Sequence, residues 1–230
     1  MNSGFFLVVE GTEGAGKTTL IRGLASRLAE AGRDRVLVRE PGGTPAAERI
    51  RAVLLDPGLA MEPVSELYLF LAARADLVAA VIRPALERGG MVLADRFELS
   101  TEAYQCGGRG LDRELVRGAN RAATGGLEPD LTLVLDLAPD LGLARIRNSG
   151  QALDRMEQAG LEFHARVAEA FRLATGPNLV HLDASQLHPR EHLDIPVRPR
   201  QMLRAVARRH GLLEAPEPRK DPGVSHQDAE

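Results

Sequence analysis

The 230-residue sequence predicts an α/β fold, a five-stranded parallel sheet with helices on both faces. Five short apolar runs, separated by helix-period segments and by no evident hairpin turn, carry that expectation. Runs that are apolar at every position, rather than at alternate ones, are what strands buried on both faces of a parallel sheet look like. Acidic and glycine-rich residues follow the runs, at the strand ends where such folds bind ligands.

Residues 5–9 form the first run, closed by Glu10 and Gly11. Over 17–31, Leu20, Leu24 and Leu28 recur at helical spacing until Gly32 stops the pattern. Residues 36–38 read as the second strand, followed by a Glu40-Pro41-Gly42-Gly43 turn and a helix over about 45–55. The longest helical pattern spans about 63–88, with Val64, Leu67, Tyr68, Leu71, Val78, Ile82 and Leu86 in one stripe expected to pack against the sheet. Phe70 and Arg74, four apart, stand one above the other on its flank. Residues 91–94, ending in Asp95 and Arg96, are the third strand; 131–135 and 179–182, each followed by an aspartate, complete the sheet. A basic connector over about 186–200 and a short helix near 202–210 close a domain expected over 1–213, and the proline-rich 214–230 reads as a disordered tail.

Composition bounds the function. With 29 Lys+Arg against 32 Asp+Glu, 44% hydrophobic and 27% charged residues, the chain reads as a soluble globular protein, not one that coats a nucleic acid polymer. The lone Cys106 excludes an intramolecular disulfide and points to a reducing cytoplasm. No apolar run reaches a membrane span, and residues 1–4 carry no basic region that would begin a signal peptide. Only Lys17 and Lys220 among the basic residues are lysines.

Gly11-Thr12-Glu13-Gly14-Ala15-Gly16-Lys17-Thr18 satisfies G-x-x-x-x-G-K-[ST] between a strand and a helix. A shuffled sequence of this composition would contain the pattern roughly once in a thousand tries. The glycines let the backbone curl until its N–H groups point at phosphate oxygens, at the positive end of the helix dipole. Lys17 is placed to reach the outer phosphates of ATP and the Thr18 hydroxyl to ligate Mg2+. Asp95, at its strand end, is placed as a second metal ligand, and Arg96 beside it projects at the same crevice. The loop alone does not separate a kinase from an NTPase switch; a guanine-reading N-K-x-D motif is absent from the sequence.

Five separated motifs narrow this further: Thr12 to Thr19 around the loop, Arg39-Glu40-Pro41-Gly42-Gly43-Thr44, Ala72-Ala73-Arg74, Asp95-Arg96 followed by Ser100-Thr101-x-Ala103-Tyr104-Gln105, and Leu153-Asp154-Arg155-Met156-Glu157. In order and spacing they resemble the bacterial thymidylate kinases over roughly 5–185. The resemblance implies a P-loop kinase fold with a small mobile lid, here about 145–156, and phosphoryl transfer from ATP to dTMP with Mg2+. It also implies a cytoplasmic homodimer working in deoxynucleotide synthesis. By the same resemblance Phe70 stacks on the thymine, and Arg74 and Arg96 clamp the acceptor phosphate. Glu13 meets the sugar 3′-hydroxyl, and Ser100, Thr101 and Gln105 wall the base. Arg39, Glu40 and Pro41 form a turn that holds a cis-proline and brings its charges towards the acceptor phosphate.

The loop itself contains no arginine, so the cation that stabilises the moving phosphoryl group is expected from Arg145, Arg147 and Arg155 around the lid, Arg155 first and then Arg147, with a solvated helix end the alternative for Arg145 and Arg147. Departures from the family pattern are Ser149, before Gly150 in the lid, where relatives often carry arginine, Phe97, where relatives commonly carry Tyr or His, and Cys106, where glycine is usual, read as an unreactive thiol. The alternatives that remain are a related nucleoside or nucleotide kinase with another acceptor and a P-loop switch.

Overall fold

A computed structural model describes residues 4–30, 32–148, 150 and 152–185. The expected connector, the short helix near 202–210 and the tail lie outside the described residues.

Five parallel strands form one sheet: β1 (Phe5–Gly11), β2 (Arg35–Arg39), β3 (Met91–Asp95), β4 (Leu131–Asp136) and β5 (Leu179–Asp183), in the order β2-β3-β1-β4-β5. Every residue of the central β1 is buried, as its unbroken apolar run requires. Its register, Phe5 opposite Met91 on one side and Leu7 opposite Leu131 on the other, aligns the carboxyl ends of β1, β3 and β4. The candidate chemistry therefore meets along one edge of the sheet.

Helix α1 (Lys17–Glu30) connects β1 to β2, while α2 (Pro45–Leu55), α3 (Pro63–Leu77), a π-helical turn (Val78–Ile82) and α4 (Arg83–Glu87) connect β2 to β3. The two connections step in opposite directions along the sheet, and right-handed crossovers then put them on opposite faces. One face packs Phe6, Val8, Val38, Val92 and Ala94 against Leu77, Val78 and Ile82. The expected single helix over 63–88 thus continues through a π turn and changes partners along its length. Leu67 and Leu71 pack on Val116 instead of the sheet, and Val64 and Tyr68, placed in the apolar stripe by spacing, are 41% and 55% exposed.

The segment from Ser100 to Gln105 lies within helical structure: α5 (Glu98–Thr101) runs into a π-helical segment (Glu102–Gly108). Three further helices follow, α6 (Arg113–Thr124), α7 (Pro139–Asn148) and α8 (Leu161–Arg172). The Asp112 side chain caps α6 by accepting from the Leu115 amide at 2.8 Å, and Gly125 ends it at φ 60°.

Candidate active site

The Gly11–Lys17 loop leaves β1 and enters α1, as its motif requires. Gly16 has φ +93° and open space where a Cβ would stand, which is the cradle a phosphate needs. Gly14 packs against Gly142 of α7 so closely that a Cβ there would lie 2.2 Å from the Gly142 carbonyl oxygen. Lys17 donates from Nζ to the carbonyls of Gly11 at 3.1 Å and Thr12 at 2.7 Å, folded back over its own loop. Burial and then the positive Arg96 lower its ammonium from 10.5 to about 8. The Thr18 hydroxyl donates to Asp95 at 2.8 Å, so the two expected metal ligands are neighbours.

A cavity of about 300 Å³ opens beside this loop. From the loop it is lined by Glu13, Gly14, Lys17 and Thr18, from the turn after β2 by Arg39, Glu40 and Pro41, and from α3 by Phe70 and Arg74. Asp95, Arg96, Ser100, Thr101 and Gln105 complete the expected set. Gly11, Thr12, Ala15, Gly16 and Thr19 belong to the phosphate loop and the start of its helix, outside this cavity. The Glu40–Pro41 peptide is cis, as the turn implied.

Arg96 stands at the centre. It is the non-glycine residue with positive φ, 76°, among the described residues, a conformation that costs about 1–3 kcal/mol and survives only where surroundings enforce it. Its Nη1 donates to the Gly11 carbonyl (3.0 Å) and Ser100 Oγ (3.1 Å), and its Nη2 to Glu13 Oε1 and the Tyr104 hydroxyl, both at 3.2 Å. Burial works to raise the Glu13 carboxyl, but His164, Arg96, Lys17 and Tyr104 hold it well below the usual carboxylate range. Glu13 is thus a carboxylate tied on one side to Arg96 and Tyr104 and facing His164 at 3.6 Å on the other.

Several expected roles change on inspection of the donors. Arg74 spends all its N–H groups within the protein: on Glu40 (2.8 and 2.6 Å), Thr101 (2.7 Å), Asn120 (2.5 Å) and the Phe97 carbonyl (2.9 Å). A guanidinium so committed, at 2% exposure, has no fork left for the acceptor phosphate that the resemblance assigned to it. The Ser100 hydroxyl likewise donates to the buried Glu10 at 2.5 Å while accepting from Arg96, so it braces the wall and does not face a base. Arg155 lies outside the cavity: Nε donates to the Leu54 carbonyl (2.7 Å) and Nη1 to Glu66 (2.6 Å). Arg147 is exposed and lines a separate depression with Leu143 and Leu153. Arg145, one of the arginines expected around the lid, donates to the Gly14 carbonyl of the phosphate loop at 3.2 Å.

Sequence reasoning missed Arg51, Tyr104, His164 and Glu66. Arg51 and Arg39 both donate to the Pro41 carbonyl, at 2.9 and 3.2 Å, which crowds two cations at the cavity mouth. Burial and then the neighbouring Arg39 lower the Arg51 guanidinium, against the opposing pull of Glu48 and Asp154. Its spacing from Glu48 on α2 was the available signal, but helical periodicity does not say which face meets a cavity. Phe97 is core, stacked edge-on against Phe6 at 5.0 Å. Burial and then Glu102 push the Cys106 thiol up, in keeping with an unreactive thiol.

A parallel sheet, a P-loop, and a cation-rimmed cavity facing that loop define a P-loop phosphotransferase with a small phosphorylated acceptor. The family model described as "Thymidylate kinase" matches residues 9–195, and the chain belongs to the thymidylate kinase family. It is 52% identical over 171 residues to the thymidylate kinase of Deinococcus radiodurans, covering 74% of this chain and 82% of the relative. To that of Desulfovibrio desulfuricans it is 48% identical over 218 residues, covering 90% and 98%. The crystal structure of thymidylate kinase from Ehrlichia chaffeensis superposes with a TM-score of 0.61 at 32% identity, covering 74% of this chain and 85% of that one. The enzyme uses ATP to phosphorylate dTMP to dTDP, a step of nucleotide biosynthesis. Among the described residues no helix is long and apolar enough to cross a membrane.

Proposed function

We propose that transfer is carried by positioning and charge, with no covalent intermediate: dTMP lies in the cavity with its phosphate between Arg96, Arg39 and Arg51, in line with the γ-phosphate of ATP held on the Gly11–Lys17 loop. The observation that carries this reading is the convergence of Arg39, Arg51, Arg96 and the Lys17 ammonium on one cavity beside the loop. Planar forks suit phosphate oxygens, and a bound dianion would relieve the crowding of Arg51 and Arg39 at the Pro41 carbonyl. Phe70 offers its ring to the base, and Gln105, Thr101 and Arg74 form the wall behind it. Glu13, ionised and lining the cavity, is the acceptor we assign to the sugar hydroxyl.

Mg2+ fits the donor set. Thr18 and Asp95 present hard oxygens within 2.8 Å of each other at the phosphate end, and no group of three or more His, Cys, Asp or Glu among the described residues forms a protein cage. That is how Mg2+ is usually held, by one carboxylate with phosphates and water. When bound it would neutralise charge on the β- and γ-phosphates. Lys17, the loop N–H groups and Arg96 spread the rest. Arg145, already on the phosphate loop, is the lid-proximal cation we assign to the moving group in place of Arg155; Arg147 is the second, reached only if the lid closes over it. We further propose, from the family resemblance, a cytoplasmic protein that works as a homodimer; the exposed Val53 of α2 and Val64 and Tyr68 of α3 support the dimer, which equilibrium sedimentation would test.

Arg96→Ala tests the central role. We expect kcat/KM for dTMP to fall at least about 10³-fold while the ATP dissociation constant stays within about threefold, by calorimetry. Unchanged turnover would remove Arg96 from the mechanism. In wild type, an acceptor panel of dTMP, dUMP, dCMP and thymidine should favour dTMP.

A further inference from the structure

Glu66 has no place in the transfer chemistry, yet it is a carboxylate with 0% exposure on α3, and four hydrogen bonds converge on it. Gln105 donates from Nε2 to Oε1 at 2.9 Å, Arg109 from Nε to Oε1 at 3.1 Å and from Nη2 to Oε2 at 2.9 Å, and Arg155 from Nη1 to Oε2 at 2.6 Å. Burial works against its ionisation, and the bonds from Arg109, Gln105 and Arg155 outweigh that, leaving the carboxyl below its ordinary value. An ionised carboxylate only accepts hydrogen bonds. The side-chain amide of Gln105 has one end that donates and one that accepts, so the end that meets Glu66 must be the nitrogen.

Gln105 is itself 1% exposed and lines the acceptor cavity. With its nitrogen committed to Glu66, the carbonyl oxygen is the end left for the cavity. A pyrimidine edge is read at N3: thymine and uracil carry a donor N3–H there, and cytosine carries a bare acceptor nitrogen. An oxygen facing that position bonds the first pair and repels the second.

We propose that Glu66 is a specificity-determining positioning residue: by fixing which end of the Gln105 amide faces the cavity, it makes the enzyme select 4-oxo over 4-amino pyrimidine nucleotides. This rests on the reading that Gln105 faces the acceptor base. Glu66 touches neither substrate. It acts through Gln105, and the donor-only Arg109 and Arg155 keep it charged and oriented. Those same arginines determine what a neutral replacement does. In Glu66→Gln the two bonds to Oε2, from Arg109 Nη2 and Arg155 Nη1, outweigh the longer Arg109 Nε bond to Oε1 and hold the new side-chain carbonyl on the Oε2 side, which turns its NH2 towards Gln105. Gln105 must then present its oxygen to that NH2 and its own NH2 to the cavity.

The test is the ratio of kcat/KM for dUMP to that for dCMP, acceptors that differ only at the N3/C4 edge. Wild type is expected to show a ratio of at least about 100. In Glu66→Gln the ratio should drop at least about tenfold, whatever happens to the melting temperature. Glu66→Asp, still acceptor-only, should keep it within about threefold. The exchange Glu66→Gln with Gln105→Glu should restore it, because a carboxylate at 105 again offers the cavity an acceptor. This double variant also supplies the answer if the single one folds poorly. A melting temperature that falls while both acceptors lose activity equally would show Glu66 to be merely structural and overturn the proposal, as would an exchange variant that does not discriminate. Gln105→Ala separates the two readings. A ratio unchanged in that variant means Gln105 does not face the base; a ratio lost there but kept in Glu66→Gln overturns only the role of Glu66.

Discussion

Two sets of arginines serve the same crevice and differ in what their donors are doing. On the acceptor wall Arg74 is buried and saturated, bonded to Glu40, Thr101, Asn120 and Phe97. At the cavity mouth and on α7, Arg39, Arg51 and Arg145 rest mainly on main-chain carbonyls, with Arg39 paired to the half-exposed Glu48. A saturated guanidinium shapes a pocket. One held only by a carbonyl oxygen still carries uncompensated charge and is available to a phosphate.

The largest effect should come from breaking the saturated side. Arg74→Ala leaves the Glu40 carboxylate buried beside an orphaned oxygen it already has, and removing one partner of such a pair costs about 3–5 kcal/mol. We expect a marked fall in melting temperature, read by calorimetry. Arg145→Ala should leave the melting temperature within about 2 °C and lower kcat by about 10² or more. Equal stability loss in the two variants would erase the distinction.

Arg155 tests where the boundary lies. Its sequence position in the lid motif suggested the transition-state cation, but its guanidinium shares Glu66 with Arg109 and reaches the Leu54 carbonyl. Arg155→Ala leaves Glu66 one of its two arginines, so the expected cost is an intermediate ~1–3 kcal/mol of stability. The rate should fall less than in Arg145→Ala. A larger kcat loss with unchanged stability would return Arg155 to the role the motif implied.

The same contrast explains what could be read beforehand. Strands buried on both faces announce themselves as apolar runs, and a phosphate loop is a local device in which the residues that act together are adjacent in sequence. Both were legible for that reason. The saturated networks were not: Glu66 meets Gln105 at a separation of 39 residues and Arg155 at 89, and nothing in periodicity says which charges pair across such distances. The family motifs singled out Arg74 and Arg155, while the hydrogen-bond partners of each came only from the fold. The strand order β2-β3-β1-β4-β5 and the turn of Tyr68 towards solvent are tertiary facts of the same kind.

The smallest effect lies in the one lysine of the phosphate loop. Lys17 combines the two arginine conditions, being buried like Arg74 and held by carbonyls like Arg51, and burial followed by Arg96 brings its ammonium down to about 8. A depressed value means that the charged amine is less favoured in the folded protein than in the unfolded chain. Between pH 8 and 10.5 the unfolded chain binds the extra proton, so Lys17 makes the free protein more stable as pH rises through that window. ATP binding should slope the other way, since the phosphates need the charged form. From pH 7 to pH 9 the protonated fraction falls about tenfold, and affinity for ATP should weaken by up to that factor. An arginine stays charged throughout this range. Lys17→Arg, whatever affinity its broader head group leaves, should therefore lose the slope. If calorimetry finds the same slope in both proteins, the titrating group is not Lys17, and the scarcity of lysine elsewhere in the chain has no bearing on this loop.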